Sequence, residues 1–147
     1  MTDKEFNSIK SKIAKSIKYW AVSLGLSHWD SIDFLCHRDS HEMDIGASDC
    51  SVAAISCDWT YRHALIKFNV QRMKEFSKQE IDAVVVHELS HCLVNQMREL
   101  LSMEENDPWI KHEESTVTGI AIAVLGACDR SFQEGYKQCQ KDMASKI

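Results

Sequence analysis

Phe6, Ile9, Ile13, Ile17, Trp20 and Leu24 recur at steps of three and four in a stretch whose other positions are mostly polar. That spacing lines the apolar side chains along one face of a helix, so it predicts an amphipathic helix from about Lys4 to Leu24, packed across the back of a sheet. Gly25 ends it, because glycine adopts the left-handed conformation that closes a helix without steric cost. The period then changes. Ser31 to His37 alternates polar and apolar, and the runs Asp49 to Trp59 and Arg62 to Val70 are rich in β-branched and aromatic residues. Three strands are predicted, the last two forming a hairpin about the short Thr60-Tyr61 corner. Asp39 to Gly46 is a polar turn, and its Asp39, His41, Glu42 and Asp44 read as solvated side chains rather than a metal cluster.

A helical period returns at Ser77. Ser77 and Glu80 stand three apart, the spacing of a capping box, and the helix they open is predicted to run to about Leu100. From Ile81 to Gln96 its only formal charges are Asp82 and Glu88, so this helix reads as buried. Ser102 to Pro108 holds the only proline and breaks it. A second helix is predicted from about Ile110 to Ala127, intensely apolar after Thr116, and a third from about Asp129 to the end. The order gives an α+β fold: an N-terminal helix, a small and mostly antiparallel three-stranded sheet, the buried helix, and two further helices. No repeat or low-complexity linker interrupts it, so residues 1–147 read as a single domain.

Composition narrows the classes. With 44% hydrophobic and 27% charged residues, the chain has enough apolar material for a core. The net charge of −5 argues against a nucleic-acid partner, although Lys4, Lys10, Lys12, Lys15 and Lys18 face only Asp3 and Glu5 in the first twenty residues. A solvated lysine face accounts for that cluster. No apolar stretch approaches the roughly 18 residues of a membrane span, and the amino terminus starts polar, so neither a membrane role nor a secretory signal is expected. Cys36, Cys50, Cys57, Cys92, Cys128 and Cys139 contain no CxxC pair. They read as reduced thiols of a cytoplasmic protein, and they exclude a CxxC zinc ribbon. Trp20, Trp29, Trp59 and Trp109 read as packing residues, and Cys92 as core. The pattern carries no signal of oligomeric state.

The candidate chemistry lies in the buried helix, where His87-Glu88-Leu89-Ser90-His91 forms an HExxH motif. Residues four apart project from one helix face, so His87 and His91 can each turn a ring nitrogen toward one Zn2+ at about 2.0–2.1 Å. Glu88 stands about a hundred degrees round from His87, placed to act as general base on a zinc-bound water. Zinc lowers the pKa of such a water to about 7. Glu88 would take the proton as the water attacks a carbonyl, then pass it to the leaving amine. Burying two imidazoles and a carboxylate without partners costs several kcal/mol, and a metal removes that cost.

A catalytic zinc needs a third protein ligand, and Lys111-His112-Glu113-Glu114-Ser115 supplies the candidates. The pattern HExxHxxGxxH is excluded, because Val94 and Met97 stand where it needs glycine and histidine. Glu114 precedes a small or apolar face of Val117, Thr118, Ala121 and Leu125, with Thr118 able to orient its carboxylate. Glu113 shares a face with Val117 and Ile120. Helix-face arguments favour Glu114, then Glu113, then His112. A glutamate that does not bind metal reads as a solvated charge near a helix amino terminus. Tyr61 or His63 at the sheet edge could stabilise an oxyanion, but a packed aromatic or a surface histidine is the simpler reading.

His87 to His91, followed by Glu113 to Ala121, resembles the minimal zincin metallopeptidases of the gluzincin type. The layout is similar to that of small phage and bacterial HExxH proteins and of the antirepressor-cleaving peptidases, whose second helix carries E-x-x-A-N-x-F-A. Glu114 and Ala121 match that second motif, whereas Val117, Thr118 and Ile120 replace its Ala, Asn and Phe. The resemblance implies a zinc-dependent endopeptidase acting on a protein or peptide substrate. It also implies an edge strand beside the metal, here Ala64 to Asn69, that binds the substrate in extended form. Two other functions compete: a non-catalytic module holding structural zinc, against which Glu88 and an open coordination position argue, and a SprT-like nucleic-acid-associated protease, supported only by the lysine-rich first helix.

Overall fold

The computed structural model describes residues 1–38, 52–100 and 112–129, the side chains of 95–100 excepted. Helix α1 spans Asp3–Ser23 and is followed by a single tight turn of 3-10 helix at Leu26–His28. Its apolar stripe is buried at Ile9, Ile13, Ile17 and Trp20, as the spacing predicts. Its start is fixed by a capping box that the apolar pattern does not announce. The Thr2 hydroxyl accepts from the Glu5 amide, and the Glu5 carboxylate accepts from the Thr2 amide at 2.7 Å. At the other end Gly25 takes φ 73°, the left-handed geometry expected of it.

Strands β1 (Ser31–His37), β2 (Ala53–Asp58) and β3 (His63–Asn69) form one sheet in the order β1-β3-β2. The β2–β3 hairpin is present, and its turn is closed by the Asp58 carboxylate, which accepts from the Tyr61 amide at 3.1 Å. Arg62 completes the turn at φ 53°, a left-handed position that the sequence does not advertise. Two expectations need correction. The sheet is mixed rather than mostly antiparallel, because β1 pairs parallel with β3 while β2 pairs antiparallel with it. Successive strands still alternate in direction, as in a meander, but β3 sits between the other two. The run Ala64 to Asn69 is therefore the central strand, hydrogen-bonded on both sides, and offers no edge. The physical cause is burial: Ala64, Ile66, Phe68 and Asn69 of β3 are buried, whereas β2 exposes Ser56 and Asp58. The most apolar strand takes the middle, and β2 takes the edge.

Helix α2 (Lys78–Leu100) opens on the expected capping box, with the Ser77 hydroxyl accepting from the Glu80 amide and the Glu80 carboxylate accepting from the Ser77 amide. It packs against α1 on one side and β2 on another. Ile81, Val85, Val86, Leu89 and Cys92 join Ile13, Ile66, Phe68 and Met73 in one core. Each fully buried aliphatic side chain there contributes about 1.5–3 kcal/mol. Asp82 is buried in the α1–α2 contact, where it accepts from the Ser16 hydroxyl at 2.6 Å and pairs with Lys78 one turn earlier.

Helix α3 occupies residues 112–129 and buries Val117 and Ala121. The polar turn with Asp39, His41, Glu42 and Asp44, the helix expected beyond Asp129, and Trp109 lie outside the described residues. Trp20 and Trp29 are buried, and Trp59 packs edge-on to Trp29. Among the described residues no helix is long and apolar enough to cross a membrane.

Candidate metal centre

The HExxH residues lie one turn apart in the middle of α2, which Val85, Val86, Leu89 and Cys92 anchor in the core. His87 and His91 sit edge to face, with ring centroids 5.3 Å apart. The first turn of α3 closes over them. His87 Nε2 is 3.5 Å from one carboxylate oxygen of Glu114, and His91 Nε2 is 3.5 Å from the other. The three residues each present a donor atom, and these donors lie within 4.8 Å of one another. A separation of 3.5 Å is long for a charge-assisted hydrogen bond. It is close to the edge of a tetrahedron of ligands about 2.0–2.1 Å from a zinc ion, roughly 3.3 Å. Two imidazoles and a carboxylate with donor atoms this close form a group that could hold a metal ion. Burial keeps His87 neutral by lowering its pKa, with the neighbouring His91 adding to the effect, and neutral imidazole is the form that binds metal.

Glu113 departs from its expected role. It is not a solvated charge: its side chain is only 10% exposed, against 54% for Glu114, and its carboxylate lies 3.0 Å from His91 Nδ1. That contact holds the ring with Nδ1 on Glu113 and Nε2 facing Glu114, the orientation in which Nδ1–H can donate to a carboxylate while Nε2 is left for a metal. The two adjacent glutamates thus address the two nitrogens of one histidine. Helix-face reasoning could not find this, because the face that a residue occupies on its own helix does not say which groups of another helix it meets. His112 is exposed and stands outside the group, and its carbonyl accepts from Thr116 Oγ1 at 2.8 Å. Thr118 is exposed and, among the described residues, makes no hydrogen bond to Glu114.

Glu88 points into a cleft of about 350 Å³ lined by Val52, Ala53, Ala83, Val84 and His87. The residue is 6% exposed, and burial, reinforced by the negative charge of Glu114, pushes its carboxyl pKa up to about 8. Among the described residues no donor satisfies it. A cation on His87, His91 and Glu114 would offset both causes. One wall of the cleft is the start of β2, so the edge strand beside the histidines is β2. Tyr61 is exposed, as is His63, and neither lines the cleft. A larger hollow, of about 470 Å³, lies between α1 and the start of α2 among Lys12, Lys15, Tyr19 and Ile81, and contains no histidine.

Cys92 is core, as expected, but its sulfur also touches Cys57 of β2 at 3.7 Å, a pairing that nothing in the sequence spacing suggests. Compared with known proteins, the chain matches no family model, no curated protein and no solved structure, so the functional reading rests on this geometry alone.

Proposed function

We propose that the protein is a zinc-dependent peptidase of the zincin kind, with His87, His91 and Glu114 as metal ligands and Glu88 as general base. The observation that carries this reading is the convergence of those three donors within 4.8 Å, beside a buried carboxylate that no described residue supplies with a donor. Bound zinc supplies an acidified water, with a pKa near 7, and polarises the scissile carbonyl. The chain does the rest. Glu113 holds the His91 ring. Glu88 accepts a proton and delivers it to the leaving amine. The edge of β2 that no other described strand pairs can take an extended peptide, because main-chain hydrogen bonding to an edge strand recognises backbone rather than one side chain.

The test is metal content by elemental analysis of the purified wild type beside His91→Ala and Glu88→Gln. Near-stoichiometric zinc is expected in the wild type and in Glu88→Gln, and loss is expected in His91→Ala. A wild type that carries no zinc and takes up none on addition would sink the proposal.

A further inference from the structure

Cys57 lies on the edge strand β2 and Cys92 on α2, one residue beyond His91. Two geometries bring them together. Four residues of strand from Ala53 to Cys57 span about 13 Å, and eight residues of helix from Val84 to Cys92 span about 12 Å. Because Ala53 borders Val84 at the cleft, β2 and α2 run in step, and the sulfurs meet 3.7 Å apart. Forming a bond of about 2.05 Å then requires the sulfurs to close by roughly 1.7 Å, a movement that two side-chain rotations can share. Cys36, Cys57, Cys92 and Cys128 are all free thiols, and among the described residues only Cys57 and Cys92 are in contact. The pair is asymmetric. Cys57 is half-buried at the sheet edge, whereas Cys92 is fully buried beneath it.

We propose that Cys57 and Cys92 form a redox modification site, oxidised by a low-molecular-weight disulfide to an intramolecular bond that ties the wall of the cleft to the HExxH helix. The sulfur of Cys57, the less buried of the two residues, attacks glutathione disulfide, forming a mixed disulfide and releasing one glutathione. The Cys92 sulfur then attacks the Cys57 sulfur and releases the second glutathione. Two thiols lose two electrons and two protons, and one glutathione disulfide becomes two glutathiones. The tie holds β2 against α2 beside the proposed substrate edge. It stands independently of the metal assignment, since both sulfurs are in place whatever His87 and His91 bind.

The full chain is incubated with glutathione disulfide, quenched with a thiol alkylator, and read by intact mass and a non-reducing peptide map. Expected are a loss of about 2 Da, a linked peptide pair containing Cys57 and Cys92, and return of both thiols on reduction. Cys57→Ser, a change at a half-buried position, is expected to abolish the linkage while leaving Cys92 protected from alkylation. Hydrogen exchange of the β2 amides is expected to slow in the oxidised form. The proposal is overturned by a persistent glutathione adduct on Cys57, by Cys57 pairing with any other cysteine, or by exchange at β2 that oxidation leaves unchanged.

Discussion

Helix α2 buries two carboxylates six residues apart, Asp82 at 7% exposure and Glu88 at 6%, and treats them in opposite ways. Asp82 is satisfied: Ser16 reaches it from α1 and Lys78 from the preceding turn, so its charge stitches two helices. Glu88 receives no donor from the described residues, and its carboxyl is pushed up to about 8 by burial and by Glu114. Equal burial therefore does not mean an equal role. A buried acid with partners is a fastening. A buried acid without them, facing a cleft beside a cluster of donors, is poised to exchange a proton with something that enters.

The sharpest way to break that contrast is to neutralise each acid in turn. Glu88→Gln keeps shape and removes basicity, so peptide hydrolysis is expected to fall by about 10²–10⁴-fold while zinc content stays near that of the wild type. Asp82→Ala is expected to leave turnover of the folded protein within a few-fold. Equal losses of turnover in both variants would show that Glu88 acts through the fold rather than through the proton.

The same contrast has a pH signature in the metal-free protein. Unfolded, Glu88 loses its proton near 4.5; folded, it keeps it to about 8. Its contribution is fully present below about 4.5 and is lost as pH rises toward 8, by roughly 1.4 kcal/mol for each pH unit between. His87 works in the other direction: its lowered pKa favours the folded state above 6.5 and costs stability as pH falls below that value. Denaturant titrations at pH 5 and pH 8 should therefore show Glu88→Gln gaining on the wild type at the higher pH. Zinc should erase the gain by holding Glu88 ionised. A constant difference between the two proteins would mean that Glu88 is already satisfied.

Asp82→Ala tests the fastening itself. It leaves the buried Ser16 hydroxyl without its acceptor and is expected to cost about 1–3 kcal/mol. Lys78 is solvent-exposed and turns to water, so it adds little. The loss should be additive with Glu88→Gln, because the two sites share no hydrogen-bond partner. A coupling energy above about 0.5 kcal/mol in the double variant would show that the two acids form one network.

What could be read from sequence divides along the same line. The helices α1 and α2 and the Ser77–Glu80 box are local patterns, set by residues three or four apart, and a local period suffices to find them. His87, Glu88 and His91 share one turn, so their grouping was legible too. Strand order was not, since β3 becomes central through pairing with residues far away in the chain, and alternation within a strand says nothing about its neighbours. Nor was the Cys57–Cys92 contact, which needs β2 and α2 to run in step. Glu113 was misread for a related reason: a carboxylate near a helix start is usually solvated, and only the approach of α3 to α2 shields this one.

Glu113 supplies the last and smallest test, because it acts on the site only through another residue. Its carboxylate touches His91 Nδ1 and not the Glu114 side of the ring. Glu113→Gln preserves size and can still meet Nδ1 through its carbonyl oxygen, but it no longer carries the charge that makes the imidazole a stronger donor to a metal. Losses for such changes typically run to 10–100-fold in metal affinity. The expected result is zinc affinity weakened within that range, stoichiometry unchanged at saturation, and hydrolysis restored by excess zinc. Glu114→Gln removes a proposed ligand and is expected to resist such rescue. If Glu113→Gln instead abolishes zinc binding while Glu114→Gln retains it, the two glutamates exchange roles. Glu88 would then be raised by burial and by an exposed carboxylate that binds nothing, and its distinction from Asp82 would rest only on the donors that Asp82 has.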